Sequence, residues 1–165
     1  MSKQETVLLI TADDIIKYTS LSGNIDIDSI TPWVYSCQTN EIKRILTTNL
    51  YNKIVADYEA GTLTGIYKQI HNDYIIDMLV YFATSDYLKA SPYKIGESGV
   101  YKMRGDNADI PDINEIYKLS AMYDKMGNAS EKFFVEFMTT NYTQVPEYAI
   151  TGSNQSSTYG LDWIL

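Results

Sequence analysis

"IYKLSAMYDKMGNASEKFFVEF", residues 116–137, decides the fold. Read locally, Gly127 stops one helix and Asn128, with Glu131 three residues on, caps the next. Read over its full length, Ile116, Leu119, Tyr123, Met126, Ser130, Phe133 and Phe137 keep a helical spacing straight across the glycine. A break between two helices would reset that phase. One interior glycine costs only about 1 kcal/mol relative to alanine. The spacing therefore predicts one long helix over 113–140, with Asp112 and Glu115 as the capping pair at its start.

Upstream, "YIIDMLVYFA" (74–83) is apolar on nearly all sides. It predicts a central buried helix from about Leu63 or Tyr67 to Lys89, ended by Ser91-Pro92 because the residue before proline avoids the helical region. Asp73, Asp77 and Asp86 flank or interrupt the run, which is far shorter than the ~20 apolar residues of a membrane span. A second helix is expected from Asp28 or Ser29 to Leu46, with Pro32 in its first turn and Ile30, Val34, Cys37, Ile42 and Ile45 facing inward. Thr48 is expected to cap a third helix over 49–60, closed by Gly61. Thr11 and Asp14 predict a short first helix over 12–19, and "TVLLI" (6–10) before it reads as a strand or an extended anchor.

Between the two longest helices lies "SPYKIGESGVYKMRG" (91–105), where apolar and polar residues alternate. It predicts a β-hairpin at about 93–103, with Tyr93–Ile95 facing Val100–Met103. An isolated hairpin is marginal in water, so it needs a surface to rest on. After residue 148 the composition changes. "TGSNQSST" (151–158) is a linker and "YGLDWIL" (159–165) is an apolar heptapeptide. The expected architecture is mostly α: a small bundle of four to five helices with an inserted hairpin and extended N- and C-terminal arms. Residues 1–148 are read as one domain with the insertion at 91–105, and 149–165 as a flexible tail carrying an apolar anchor.

The chain carries a net charge of -8, which argues against affinity for nucleic acid or an anionic membrane. Its 15 tyrosines suit surfaces that are buried only on assembly, or equally the edge of an ordinary core. Cys37 is the single cysteine, so no internal disulfide is possible. The opening "MSKQETVLLITADD" has too short an apolar run for a signal peptide.

Catalytic chemistry finds little footing. His71 is the only histidine, and a triad would need it beside Asp73 or Asp77 with a serine or Cys37 as nucleophile; no motif marks such a site. Asp26 and Asp28 hint at a calcium loop, but Ile30 and Pro32 occupy ligand positions and the required glycine is missing. Asp106, Asn107, Asp109, Asp112 and Glu115 form an acidic cluster, read as loop solvation and helix capping with a cation as the alternative. "RGD" (104–106) is read as a chance match. "EIKR" (41–44) with Lys53 is a weak basic cluster on a solvated helix face. The expected protein is therefore not an enzyme and has no cofactor or metal.

Three stretches in order carry a family resemblance. "LITADDIIKYTSLSGNIDIDSITPWVYSCQTNEIKRILTTNLYNKI" (9–54) resembles the N-terminal half of phage head–tail connector, or adaptor, proteins, most of all those of crAss-like and other Bacteroidetes phages. "SPYKIGESGVYKMRGDNADIP" (91–111) resembles the family's Ser-Pro stretch and its polar loop. "TTNYTQVPEY" (139–148) resembles its closing motif, at Asn141 and Pro146-Glu147-Tyr148. The chain departs from the pattern at Thr47-Thr48, where the family usually has glycine after leucine, and at Gly127.

The resemblance implies a virion structural protein. It would form a homo-oligomeric ring, commonly a dodecamer, at the portal vertex, assembled in the host bacterial cytoplasm. Its partners would be the portal protein and neighbouring connector or tail proteins, with DNA passing through the channel unbound. The residues expected to contact neighbours are Tyr93, Ile95, Val100, Tyr101 and Met103 of the hairpin, and Tyr159, Trp163, Ile164 and Leu165 of the tail, with packing of either onto the chain's own core as the alternative. From the residues alone, a non-catalytic adaptor that binds a single host or phage protein stands as the alternative.

Overall fold

The structure is a computed structural model, and it describes residues 7–19, 27–96, 99–102 and 113–148. These residues are mainly α-helical. Five helical stretches are described: α1 (Ala12–Tyr18), α2 (27–46), α3 (Thr48–Glu59), α4 (65–90) and α5 (Ile113–Asn141). Two short 3-10 turns, Tyr142–Gln144 and Pro146–Tyr148, follow α5.

Helix α1 starts as its sequence dictates. Thr11 is extended and closes a capping box: the Asp14 amide donates to Thr11 Oγ1 at 3.3 Å, and the Thr11 amide donates to Asp14 Oδ2 at 2.7 Å. Each bond satisfies a donor that the first turn leaves free. Residues 7–10 before it form no regular element, yet Leu9 and Ile10 are buried. They are the extended anchor rather than the strand.

Helices α2 and α4 each contain a π-helical turn, Gln38–Ile42 and His71–Ile75. Such a turn inserts one residue, so the buried face steps by five instead of three or four. The buried apolar residues of α2 step this way between Cys37 and Ile42, and those of α4 between Ile70 and Ile75, while Gln38 and His71, which open the two turns, are buried as well. Pro32 lies inside α2, whose first residue is Ile27, not in the first turn as expected. Thr48 is not the cap of α3 either. It is already helical, and Thr47 precedes it with φ 67° and ψ 158° and no side-chain capping bond. That φ is where glycine is at ease and a β-branched residue is strained.

The pair α4 and α5 forms the main packing interface among the described elements. Helix α5 runs unbroken through Gly127, which is buried. A Cβ there would come within 2.6 Å of the Phe82 ring on α4, so glycine permits the close approach. The face of α5 differs from the expected one. Its buried residues are Ser120, Tyr123, Gly127, Phe134 and Met138. Leu119 and Phe133, expected to point inward, are exposed. The glycine sits in the contact itself, and the apolar stripe read from the sequence straddles the edge of the buried face. Near the N-terminal half of this interface Ser85 and Ser120 exchange buried hydrogen bonds, with hydroxyls 2.8 Å apart.

After α5 the chain turns back onto the core. Val145 is buried, and the Tyr148 ring meets Phe134 edge-on at 5.5 Å. Tyr67 donates to the Glu147 carboxylate at 2.7 Å, and Thr47 Oγ1 donates to the Glu147 carbonyl at 3.3 Å. Burial and Glu147 push the Tyr67 phenol up to about 12.

Between α4 and α5 the backbone forms two four-residue strands, β1 (Tyr93–Gly96) and β2 (Gly99–Lys102). They pair antiparallel, Tyr93 with Lys102, Lys94 with Tyr101, Ile95 with Val100 and Gly96 with Gly99.

Candidate functional site

His71 is a structural residue here. It opens the π-turn of α4 and is buried. Its Nε2 donates to the Leu9 carbonyl at 2.8 Å, and its Nδ1 lies 2.8 Å from the Asn72 side chain. Both ring nitrogens are occupied, so neither is open to activate a nucleophile. Cys37, the other triad candidate, donates to Asp86 at 3.4 Å. Burial pushes its thiol up, and the Asp86 carboxylate adds to the effect, so the reactive thiolate is disfavoured.

Gln38 was not singled out by sequence reasoning. It is fully buried at the first position of the other π-turn. Its Oε1 accepts from the Leu9 amide at 2.8 Å, while its Nε2 donates to the Val7 carbonyl at 2.8 Å and approaches the Tyr51 hydroxyl at 3.4 Å. The side-chain amide thus pairs with the extended segment as a neighbouring strand would. Gln38 from α2 and His71 from α4 together hold the main chain of Val7 and Leu9. A π-turn presents each of them inward. The clamp fixes the chain's own segment 7–10 against α2 and α4.

The basic cluster is committed to internal pairs. Arg44 makes a two-pronged bond to Glu131 on α5, at 3.1 and 3.2 Å, and also meets Glu41. Lys53 pairs with Asp57 at 3.0 Å and lies over the Tyr67 ring. Lys43 lies over the Tyr51 ring. Among the described residues no group of acidic, histidine or cysteine side chains could hold a metal ion. No helix of the described residues is long and apolar enough to cross a membrane.

The features left over are outward-facing. On α5, Leu119, Met122 and Phe133 lie along one exposed flank, with Phe133 59% exposed. Tyr117 and Val135 are exposed on another flank, and Tyr142 follows at 57%. Apolar side chains scattered singly are ordinary, but a run of them along one helix marks an interaction surface. The hairpin backbone pairs Tyr93 with Lys102, Ile95 with Val100 and Lys94 with Tyr101. Met103, the acidic residues 106–112 and Tyr159, Trp163, Ile164 and Leu165 lie outside the described residues; Glu115 is exposed in the first turn of α5.

The model of DUF6712, a family of unknown function, matches residues 42–158. That span covers well over half of the chain, which therefore belongs to this family. No curated protein and no solved structure matches the chain.

Proposed function

We propose that this DUF6712 chain is a non-enzymatic virion protein that forms a ring at the portal vertex, joins portal to tail and extends the DNA channel. The observation that carries this reading is the flank of α5 that keeps Leu119, Met122 and Phe133 exposed after the chain has formed its own core. A ring subunit needs two different, complementary lateral surfaces, because head-to-tail contacts that close make rings. The flank of α5 offers one. The inserted hairpin offers the other, because a two-stranded ribbon gains stability when its apolar positions rest on a partner. Tyr93, Ile95, Val100, Tyr101 and Met103 are its proposed contacts, and Tyr159, Trp163, Ile164 and Leu165 are the proposed apolar anchor to the neighbour.

Two further observations support the reading. The family resembled by the sequence carries glycine where Thr47 stands, and Thr47 has the backbone angles that glycine favours. The chain's net charge of -8 suits a channel wall past which DNA slides, since a basic lumen would hold phosphate.

The test is assembly. Purified protein mixed with the portal protein should give rings stacked on the portal in electron micrographs. Phe133→Asp should abolish them while leaving the subunit folded, because Phe133 is an exposed residue. A protein that stays monomeric and ignores portal and connector proteins would be an adaptor for a single partner instead.

A further inference from the structure

Helix α5 carries a second periodicity on its outer side. Leu119, Met122, Met126, Ala129 and Phe133 follow a 3-4-3-4 spacing, the seam that one helix presents to another. Leu119, Met122, Ala129 and Phe133 are exposed and Met126 is half-buried, so the described residues leave this seam open. Along one edge of it stand Lys118, Lys125 and Lys132, seven residues apart and all exposed. Seven residues are close to two turns, so the three lysines form a row about 21 Å long. None of them has an acidic partner among the described residues, whereas Arg44, Lys53 and Lys89 are each paired. A row of free cations on a chain of net charge -8 is the complement of that chain's own acidic surface.

Helix α4 supplies the matching charge. Asp73 is exposed and Asp77 half-buried, about one turn apart, and neither forms an ion pair among the described residues. Burial pushes the Asp77 carboxyl up and Asp73 adds to the effect, so this pair is short of positive charge. The Tyr81 ring stacks on Tyr123 with centroids 6.4 Å apart, and burial, with Asp77 beside it, raises the Tyr81 phenol. The aspartates therefore stand on the Tyr123 side of α5. Lys125, two residues and about 200° further round the helix, faces the other way. The positive and negative edges thus lie on different sides of one subunit.

We infer that neighbouring copies meet head to tail, with Lys118, Lys125 and Lys132 of one lying against Asp73 and Asp77 of the next, and with the apolar seam covered by that contact. The inference rests on the proposed assembly of copies through α5. Contacts between two unlike sides propagate and close into rings. Ion pairs buried at the contact are screened less than the overall repulsion between two like-charged chains, so they persist at physiological salt.

Charge exchange in the full-length protein tests it, read as the self-association constant from sedimentation at physiological salt. Lys118→Glu, Lys125→Glu and Lys132→Glu together should weaken association at least about tenfold while helical circular dichroism is retained. Asp73→Lys with Asp77→Lys should weaken it by a similar factor, although this change moves the net charge toward zero and by itself would favour association. All the substitutions in one chain should restore association to within about threefold of the parent, because the facing charges are again opposite. A parent that stays monomeric would overturn the inference. So would an aspartate variant that associates as well as the parent, or a fully exchanged variant that stays apart. Electron micrographs with the portal protein judge the ring separately. Restored association without rings on the portal would keep the contact and remove the ring, whereas rings that persist through each exchange alone would keep the ring and remove the contact.

Discussion

Thr47 tests the backbone at the level of one residue. It holds a φ of 67° and donates one long hydrogen bond, 3.3 Å, to the Glu147 carbonyl. Alanine there keeps the strained φ and loses the bond. Glycine loses the bond but removes strain of about 1–3 kcal/mol. Thr47→Gly should therefore be more stable than Thr47→Ala by about 1 kcal/mol in chemical denaturation, the reverse of the usual order. Gln38 tests the clamp. Gln38→Met keeps the shape of the side chain but leaves the Leu9 amide and the Val7 carbonyl without it. Orphaning the buried Leu9 amide costs about 1–3 kcal/mol and the part-buried Val7 carbonyl less, so a total loss of about 2–4 kcal/mol is expected in the same measurement. A loss below 1 kcal/mol would mean that the segment 7–10 is held by its apolar side chains alone.

Helix α5 shows what periodicity can and cannot deliver. Its continuity was legible, because seven residues keep phase across Gly127 and a break would have lost it. Its buried face was misread, because a glycine counts as nothing in a search for apolar side chains although here it marks the closest contact. The sign of a substitution makes the point measurable. Gly127→Ala gains about 1 kcal/mol of helix propensity but drives a Cβ into Phe82, an overpacking cost of typically 1–3 kcal/mol. It should destabilise on balance, whereas Asn128→Ala at the exposed neighbour should stabilise slightly. The π-turns were not read from the sequence, where Cys37 and Ile42 were taken as ordinary helical spacing. The five-residue step from Cys37 to Ile42 was on the page, but helical spacing alone does not say that the extra residue turns Gln38 inward to bind main chain. The clamp escaped notice for that reason: a lone glutamine and a lone histidine, on different helices, meet only in three dimensions. Thr48 failed as a cap because a cap needs extended backbone angles, and the residue before it had already made the turn.

At the scale of the whole molecule, the described elements show mainly helical packing with its polar interior groups turned to holding the chain's own segments. His71, Gln38 and Glu147 each bind main chain or a neighbouring side chain, while Leu119, Met122 and Phe133 form an exposed apolar strip along α5. A subunit of net charge -8 repels its copies, and the repulsion is screened at physiological salt, where the Debye length is about 8 Å. Assembly should therefore strengthen with ionic strength, as apolar contacts between like-charged subunits require. The mass of the purified full-length protein in solution, measured by sedimentation at high protein concentration and physiological salt, with and without the portal protein, is the most direct measurement. The account predicts a discrete closed oligomer whose formation Phe133→Asp abolishes. A single species of 18.8 kDa under every one of these conditions would contradict it.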